Sequence, residues 1–135
     1  MPQLRFEVTE SLDDVEVASF ADWVTEHYAE QMATGTGHVG VSVRDDAAIT
    51  MGRADHDEPV AFLDADIRAG RSTDQRRGFA VAIMDELHDR WAIPTENCYV
   101  VYTEHPGADF HLREGALTSW ETDETADESG PVDPA

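Results

Sequence analysis

From the third residue, apolar and polar side chains alternate. Leu4, Phe6 and Val8 fall on one side of the chain, and Gln3, Arg5 and Glu7 on the other. A period of two is that of a half-buried strand, predicted here over 3–8. The period then changes. Val17, Phe20, Ala21, Val24, Tyr28 and Met32 recur at the spacing of one helix face. Asp13 and Glu16 stand ahead of this stripe at capping-box separation, and Gly35-Thr36-Gly37 ends it. Val39, Val41 and Val43 alternate again, which predicts a second strand near 38–44. The succession repeats about sixty residues later. A strand is predicted over 60–67, followed by a helix opened by Ser72-Thr73-Asp74-Gln75 and carried by Phe79, Ala80, Ile83, Met84, Leu87 and Trp91. Ile93-Pro94 stops that helix, and a last strand is predicted over 98–103. The joining segment, 45–59, reads as a turn or short hairpin around 49–51.

A strand-helix-strand unit has a crossover helix, so its two strands run parallel. Two such units predict an α/β (α+β) fold, a four-stranded mixed sheet with both helices on one face. The other face then lacks cover, with Leu63 and Val100 expected among its apolar residues, and oligomerisation is the expected remedy. A length of 135 residues suits one domain with a modest core.

Charge narrows the partners. There are 29 acidic residues against 9 basic ones, all nine arginine, for a formal charge of −20. Such a chain repels phosphates and anionic membrane surfaces, so neither nucleic acid nor membrane is an expected partner. The balance is that of proteins kept soluble in concentrated salt, where the screening length falls to ~3 Å near 1 M. The single Cys98 suits a reducing compartment. With no signal-type leader and no apolar run of membrane length, the chain is expected to be cytoplasmic. Residues 121–135 are acidic with Pro, Gly and Ser, and read as a disordered tail beyond a domain of 1–120.

Two features carry candidate chemistry. Removal of Met1 would leave Pro2 as a free secondary amine. A free α-amino group titrates near ~7.7–8.0, and an apolar environment lowers this further. Such a group is a neutral base near working pH. Arg68 and Arg71 lie at the end of the third predicted strand, just before a helix start. Their forks match a carboxylate, and the helix N-terminus adds N–H donors and a positive dipole end. The plain alternative is a pair of surface arginines matched to Asp64, Asp66 or Asp74.

Pro2-Gln3-Leu4-Arg5-Phe6-Glu7, the segment Arg68-Ala69-Gly70-Arg71-Ser72-Thr73-Asp74-Gln75, and residues 104–115 after the last strand occur in this order in a doubled β-α-β chain. So ordered, over residues 2–117, they resemble the tautomerase superfamily, which includes the macrophage migration inhibitory factor, malonate semialdehyde decarboxylase and cis-3-chloroacrylic acid dehalogenase branches. The resemblance implies a homotrimer with its site at a subunit boundary and no cofactor. It implies Pro2 as catalytic base and acid, Arg68 and Arg71 as holders of a small carboxylate substrate, and Tyr99 as a pocket-lining residue. The function so implied is tautomerisation of a small 2-oxo or enol acid. Decarboxylation, hydration or dehalogenation of a short oxo or unsaturated acid is the alternative, as is a catalytically silent interaction protein on the same scaffold.

Departures from the pattern narrow the branch. Where the dehalogenases carry a helical His and a strand Tyr, this chain has Glu30 and Val101, with Tyr102 turned to the other face by alternation. Arg113 or Glu114 falls where they place a Glu. No acid near 36–38 matches the decarboxylase Asp, and no Lys follows the first helix. Plain tautomerisation needs the fewest residues. Other features read as structural. Gly35 to Gly40 spell G-x-G-x-x-G, but follow a helix and open a strand, the reverse of a dinucleotide site. His105 and His111, with Glu104 and Asp109, read as a solvated loop rather than a metal site. Cys98, Trp23 and Trp91 read as packing residues, and Phe110 and Trp120 as candidate subunit contacts.

Overall fold

In the computed structural model the described residues are 2–116; Met1, Trp120 and the acidic segment 121–135 lie outside them. The elements are β1 (Gln3–Val8), α1 (Asp14–Gln31), β2 (Gly40–Arg44), β3 (Ala61–Arg68), α2 (Thr73–Trp91), β4 (Cys98–His105), β5 (His111–Leu112) and β6 (Gly115–Ala116). The main sheet has the order β2-β1-β3-β4. β1 and β2 are parallel, as are β3 and β4, and the two units meet antiparallel at β1 and β3. The sheet is therefore mixed, as two crossover units joined back to back require.

Both helices start on complete capping boxes. The Glu16 N–H donates to the Asp13 carboxylate at 2.8 Å, and the Asp13 N–H donates to the Glu16 side chain at 3.1 Å. Ser72 and Gln75 repeat the exchange at α2, at 3.0 and 2.9 Å. Each box satisfies N–H groups that the first helical turn would otherwise leave unpaired.

One core lies between the sheet and the two helices. Leu4, Phe6 and Val8 of β1 join Ala61, Leu63, Ala65 and Ile67 of β3 against Phe20, Val24 and Tyr28 of α1 and Phe79, Ile83 and Leu87 of α2. Phe20 meets Phe6 edge-on at 5.0 Å, and Tyr28 meets Phe79 at 5.2 Å. The expectation for Leu63 and Val100 is corrected here. Leu63 is 2 % exposed, and Val100 packs against the core. Leu63 sits opposite Phe6 on one side and Val100 on the other, so the register puts all three on the helix-covered face. The apolar residues of the open face are instead Phe62, Tyr99 and Val101, with Tyr99 58 % and Val101 54 % exposed.

The joining segment also differs from expectation. No strand forms around 49–51; turns closed by Ala54 N–H to Met51 O (2.9 Å) and Glu58 N–H to Asp55 O (3.0 Å) carry the chain instead. β4 runs two residues further than its alternation suggested, and the small β5–β6 hairpin follows it. No helix among the described residues is long and apolar enough to cross a membrane.

The topology gathers four chain segments at one end of the sheet. Gln3 is opposite both Gly40 and Asp66, and Arg68 is opposite His105. The starts of β1 and β2 therefore lie beside the ends of β3 and β4, where α2 begins.

Candidate functional site

Pro2 immediately precedes β1 and is buried. Its carbonyl accepts the Gly40 N–H at 3.0 Å, which ties the chain start to the start of β2. Because β1 and β3 are antiparallel with Gln3 opposite Asp66, Pro2 lies at the Arg68 end of β3.

Arg68 is the last residue of β3 and is fully buried; Arg71 follows in the turn and is 3 % exposed. Gly70 makes that turn with φ of 119°, a region that disfavours any side chain, and Ser72 then caps α2. The Ala69 N–H donates to the His105 carbonyl at 2.7 Å, so the turn is pinned to the end of β4. Fully buried arginines are rare because a desolvated guanidinium is costly. The reading of Arg68 and Arg71 as surface residues is thus corrected by their burial, and Asp66 engages Arg5 and His105.

A row of charges crosses the open face toward this end. Arg5 of β1 bonds Asp66 of β3, lies 3.9 Å from Asp64, and donates to the Gln3 side chain at 3.0 Å. His105 Nε2 is 2.7 Å from Asp66 Oδ1. The bond from His105, then that from Arg5, holds the Asp66 carboxyl below its ordinary range. The bond to Asp66 pushes the Arg5 guanidinium up. An ionised carboxylate only accepts, so Nε2 carries the hydrogen. His105 is therefore not the solvated loop residue the sequence suggested: it closes β4, and Phe110 packs edge-on to its ring at 5.5 Å. Sequence reasoning missed this row. Its only signal was the polar phase of 3, 5 and 64, 66, and which strands pair is not written in a period of two.

Tyr99 is not brought to the same place. It sits near the start of β4 opposite Phe62, their rings 5.6 Å apart. It is six residues before His105, or about 20 Å along a strand at ~3.3 Å per residue. With Phe62, Val101, Arg5, Glu7 and Asp64 it lines a groove of ≈ 460 Å³ on the open face. Glu30, Arg113 and Glu114 are exposed, and Tyr102 points to the helices, its hydroxyl donating to the Arg76 carbonyl at 2.8 Å. Burial pushes the Tyr102 phenol well up. The Cys98 thiol is pushed up to about 11, chiefly by burial and then by Glu96, so at neutral pH it is a protonated core residue. Trp91 packs on Phe20 at 4.9 Å and donates to Glu16 at 3.3 Å; Trp23 stacks on His27 at 4.8 Å. Among the described residues, no group of three or more His, Cys, Asp or Glu is placed to hold a metal.

No protein-family model matches the sequence, and no curated protein matches it. The likeness is in the fold. The macrophage migration inhibitory factor MIF2 of Leishmania major aligns with a TM-score of 0.70 at 21% identity, over 78% of this chain and 89% of that one. N1, a member of the cis-3-chloroacrylic acid dehalogenase family, aligns with a TM-score of 0.71 at 23% identity, over 85% and 84%. A native fused 4-OT aligns with a TM-score of 0.66 at 20% identity, over 83% and 94%. The architecture of this chain, a four-stranded mixed sheet with two helices on one face, is the fold these structures share with it.

Proposed function

We propose that this protein is a cofactor-free tautomerase of a small 2-oxo or enol carboxylic acid, working at the end of the sheet where Pro2, Arg68 and Arg71 all lie. The observation that carries the reading is the pair of buried arginines at the end where Pro2 begins β1. In a chain with only nine basic residues, burying two of them together suits the capture of an anion.

With Met1 removed, burial favours the neutral form of the Pro2 amine. Neutral Pro2 takes a proton from the enol oxygen or the carbon of the bound acid. Arg68 and Arg71 hold the carboxylate and stabilise the negative charge that develops on the enolate oxygen. The protonated amine then returns its proton to the other atom, so atoms and charge balance with no cofactor. Tyr99 would enter such a site from a neighbouring copy, because its own chain holds it at the far end of β4. On this reading the open sheet face packs against a second copy, in a homotrimer.

The dehalogenase and decarboxylase positions favour this reading over hydration or decarboxylation. Glu30 is solvent-exposed and Val101 offers no hydroxyl. Three measurements test the proposal: intact mass for the loss of Met1, ketonisation of the enol of phenylpyruvate, and the same assay on Arg68→Ala and Arg71→Ala. Turnover that survives a residue added ahead of Pro2 would falsify the proline mechanism. A protein with no turnover of any enol acid is a silent scaffold instead.

A further inference from the structure

We infer that His105 is a positioning residue for the Arg68–Arg71 turn, an assignment that rests on the tautomerase reading. Three ties converge on it. Its backbone carbonyl accepts the Ala69 N–H at 2.7 Å. Its ring nitrogen bonds Asp66 at 2.7 Å. Its Cα is the register partner of Arg68, which lies between those two residues. His105 thus grips the chain on both sides of Arg68, once by main chain and once by side chain.

The grip is placed where it is needed. A strand pair frays most easily at its end, and the β3–β4 pair ends at Arg68 and His105. Just beyond it, Gly70 bends the chain into α2 at a positive φ, a position with no side chain to brace it. Asp66 is also bonded to Arg5, so the tie reaches a third strand. The row Arg5–Asp66–His105 fastens β1, β3 and β4 to one another on the open face at the end where Pro2 starts β1. Phe110 closes on the His105 ring from the turn after β4, limiting its movement. Among the described residues, the groups in contact with the ring are Asp66 from β3, with Arg5 behind it from β1, and Phe110. Nothing in this arrangement asks His105 to touch a substrate. Its effect is on where Arg68 and Arg71 stand.

The test is kinetic and structural. His105→Ala should raise KM for the phenylpyruvate enol about tenfold, the worth of one charge-assisted hydrogen bond, while kcat stays within about threefold. Amide hydrogen exchange over residues 66–71 should quicken, with α1 unchanged. His105→Gln, whose amide can donate to Asp66, should recover most of the KM. Arg90→Ala serves as the control. It removes ties to Glu86 and Ser19 at the far end of α2, and should lower stability without moving KM. If His105→Ala loses stability as Arg90→Ala does, with KM and 66–71 exchange at their original values, the inference is overturned alone. If the unaltered protein neither turns over enol acids nor binds a 2-oxo acid, the tautomerase reading and this inference fall together.

Discussion

Arg68 and Arg71 are the residues with most at stake. Each is a buried basic residue, and substitution at a buried charge is among the costlier single changes. On the proposed reading, Arg68→Ala should cut kcat/KM for an enol acid by a factor on the order of 100, and Arg68→Lys should recover little, since a point charge does not replace a planar fork. Steady-state kinetics, with thermal melts to confirm folding, check this. Asp66 makes a second prediction. Its folded-state pKa lies below the value of 3.8 it starts from, chiefly through His105 and then Arg5. The unfolded chain therefore binds more protons there, and the stabilisation is complete above that value and fades as pH falls through the folded one. Asp66→Asn should destabilise the protein at pH 7, with the difference from the unaltered chain shrinking below about pH 4, as read by denaturant titration across pH. Of these residues, the Arg pair was legible from composition and placement before a helix. The row from Arg5 to His105 was not, because its members lie 61 and 39 positions apart from Asp66, and only strand pairing joins them.

At the scale of elements, the helices were the most legible. Their stripes and caps are local, each set within a few turns of chain; the Asp13 box forms as read, and the Ser72 helix start forms a second one. Ser72→Ala should cost about 1 kcal/mol of stability through the lost cap, and it also loosens the start of the helix that follows the Arg71 turn. Gly78 offers a contrasting test on the same helix. A Cβ there would meet the Gln31 side-chain nitrogen at 2.3 Å, the far end of a flexible group that can swing away. Gly78→Ala should therefore leave stability unchanged or raise it by up to ~1 kcal/mol, the helix-propensity gain over glycine. Chemical denaturation of the two variants against the parent distinguishes the outcomes. The strands were legible in phase but not in full length. The extension of β4 to His105 is set by its pairing with β3, and alternation had already faded at Thr103 and Glu104.

At the scale of the whole molecule, the described residues leave one sheet face covered by helices and one open. On the open face Phe62, Tyr99 and Val101 form an apolar patch beside the charges of Arg5, Glu7 and Arg44. If a second copy covers it, Val101→Asp should reduce the assembly to monomer and abolish turnover with it. Light scattering after size exclusion, paired with the enol assay, checks both. The net charge of −20 adds a condition. Like-charged copies repel, and salt screens that repulsion, so assembly should strengthen as salt rises toward 1 M.

The sequence by itself determined what depends on neighbours along the chain. It carried the two β-α-β periods, the helix starts, the apolar face of β1, β2 and each helix, and a proline and an arginine pair set at element boundaries. Only the tertiary structure decided what depends on which strands lie side by side. It turned Leu63 and Val100 inward and Phe62, Tyr99 and Val101 outward, joined Asp66 to both Arg5 and His105, and buried Arg68 and Arg71 at the end where Pro2 starts. The physical reason is that a period of two assigns each residue to a face but says nothing of the strand beside it. Register is chosen by the summed burial of the whole core, to which every strand and helix contributes at once.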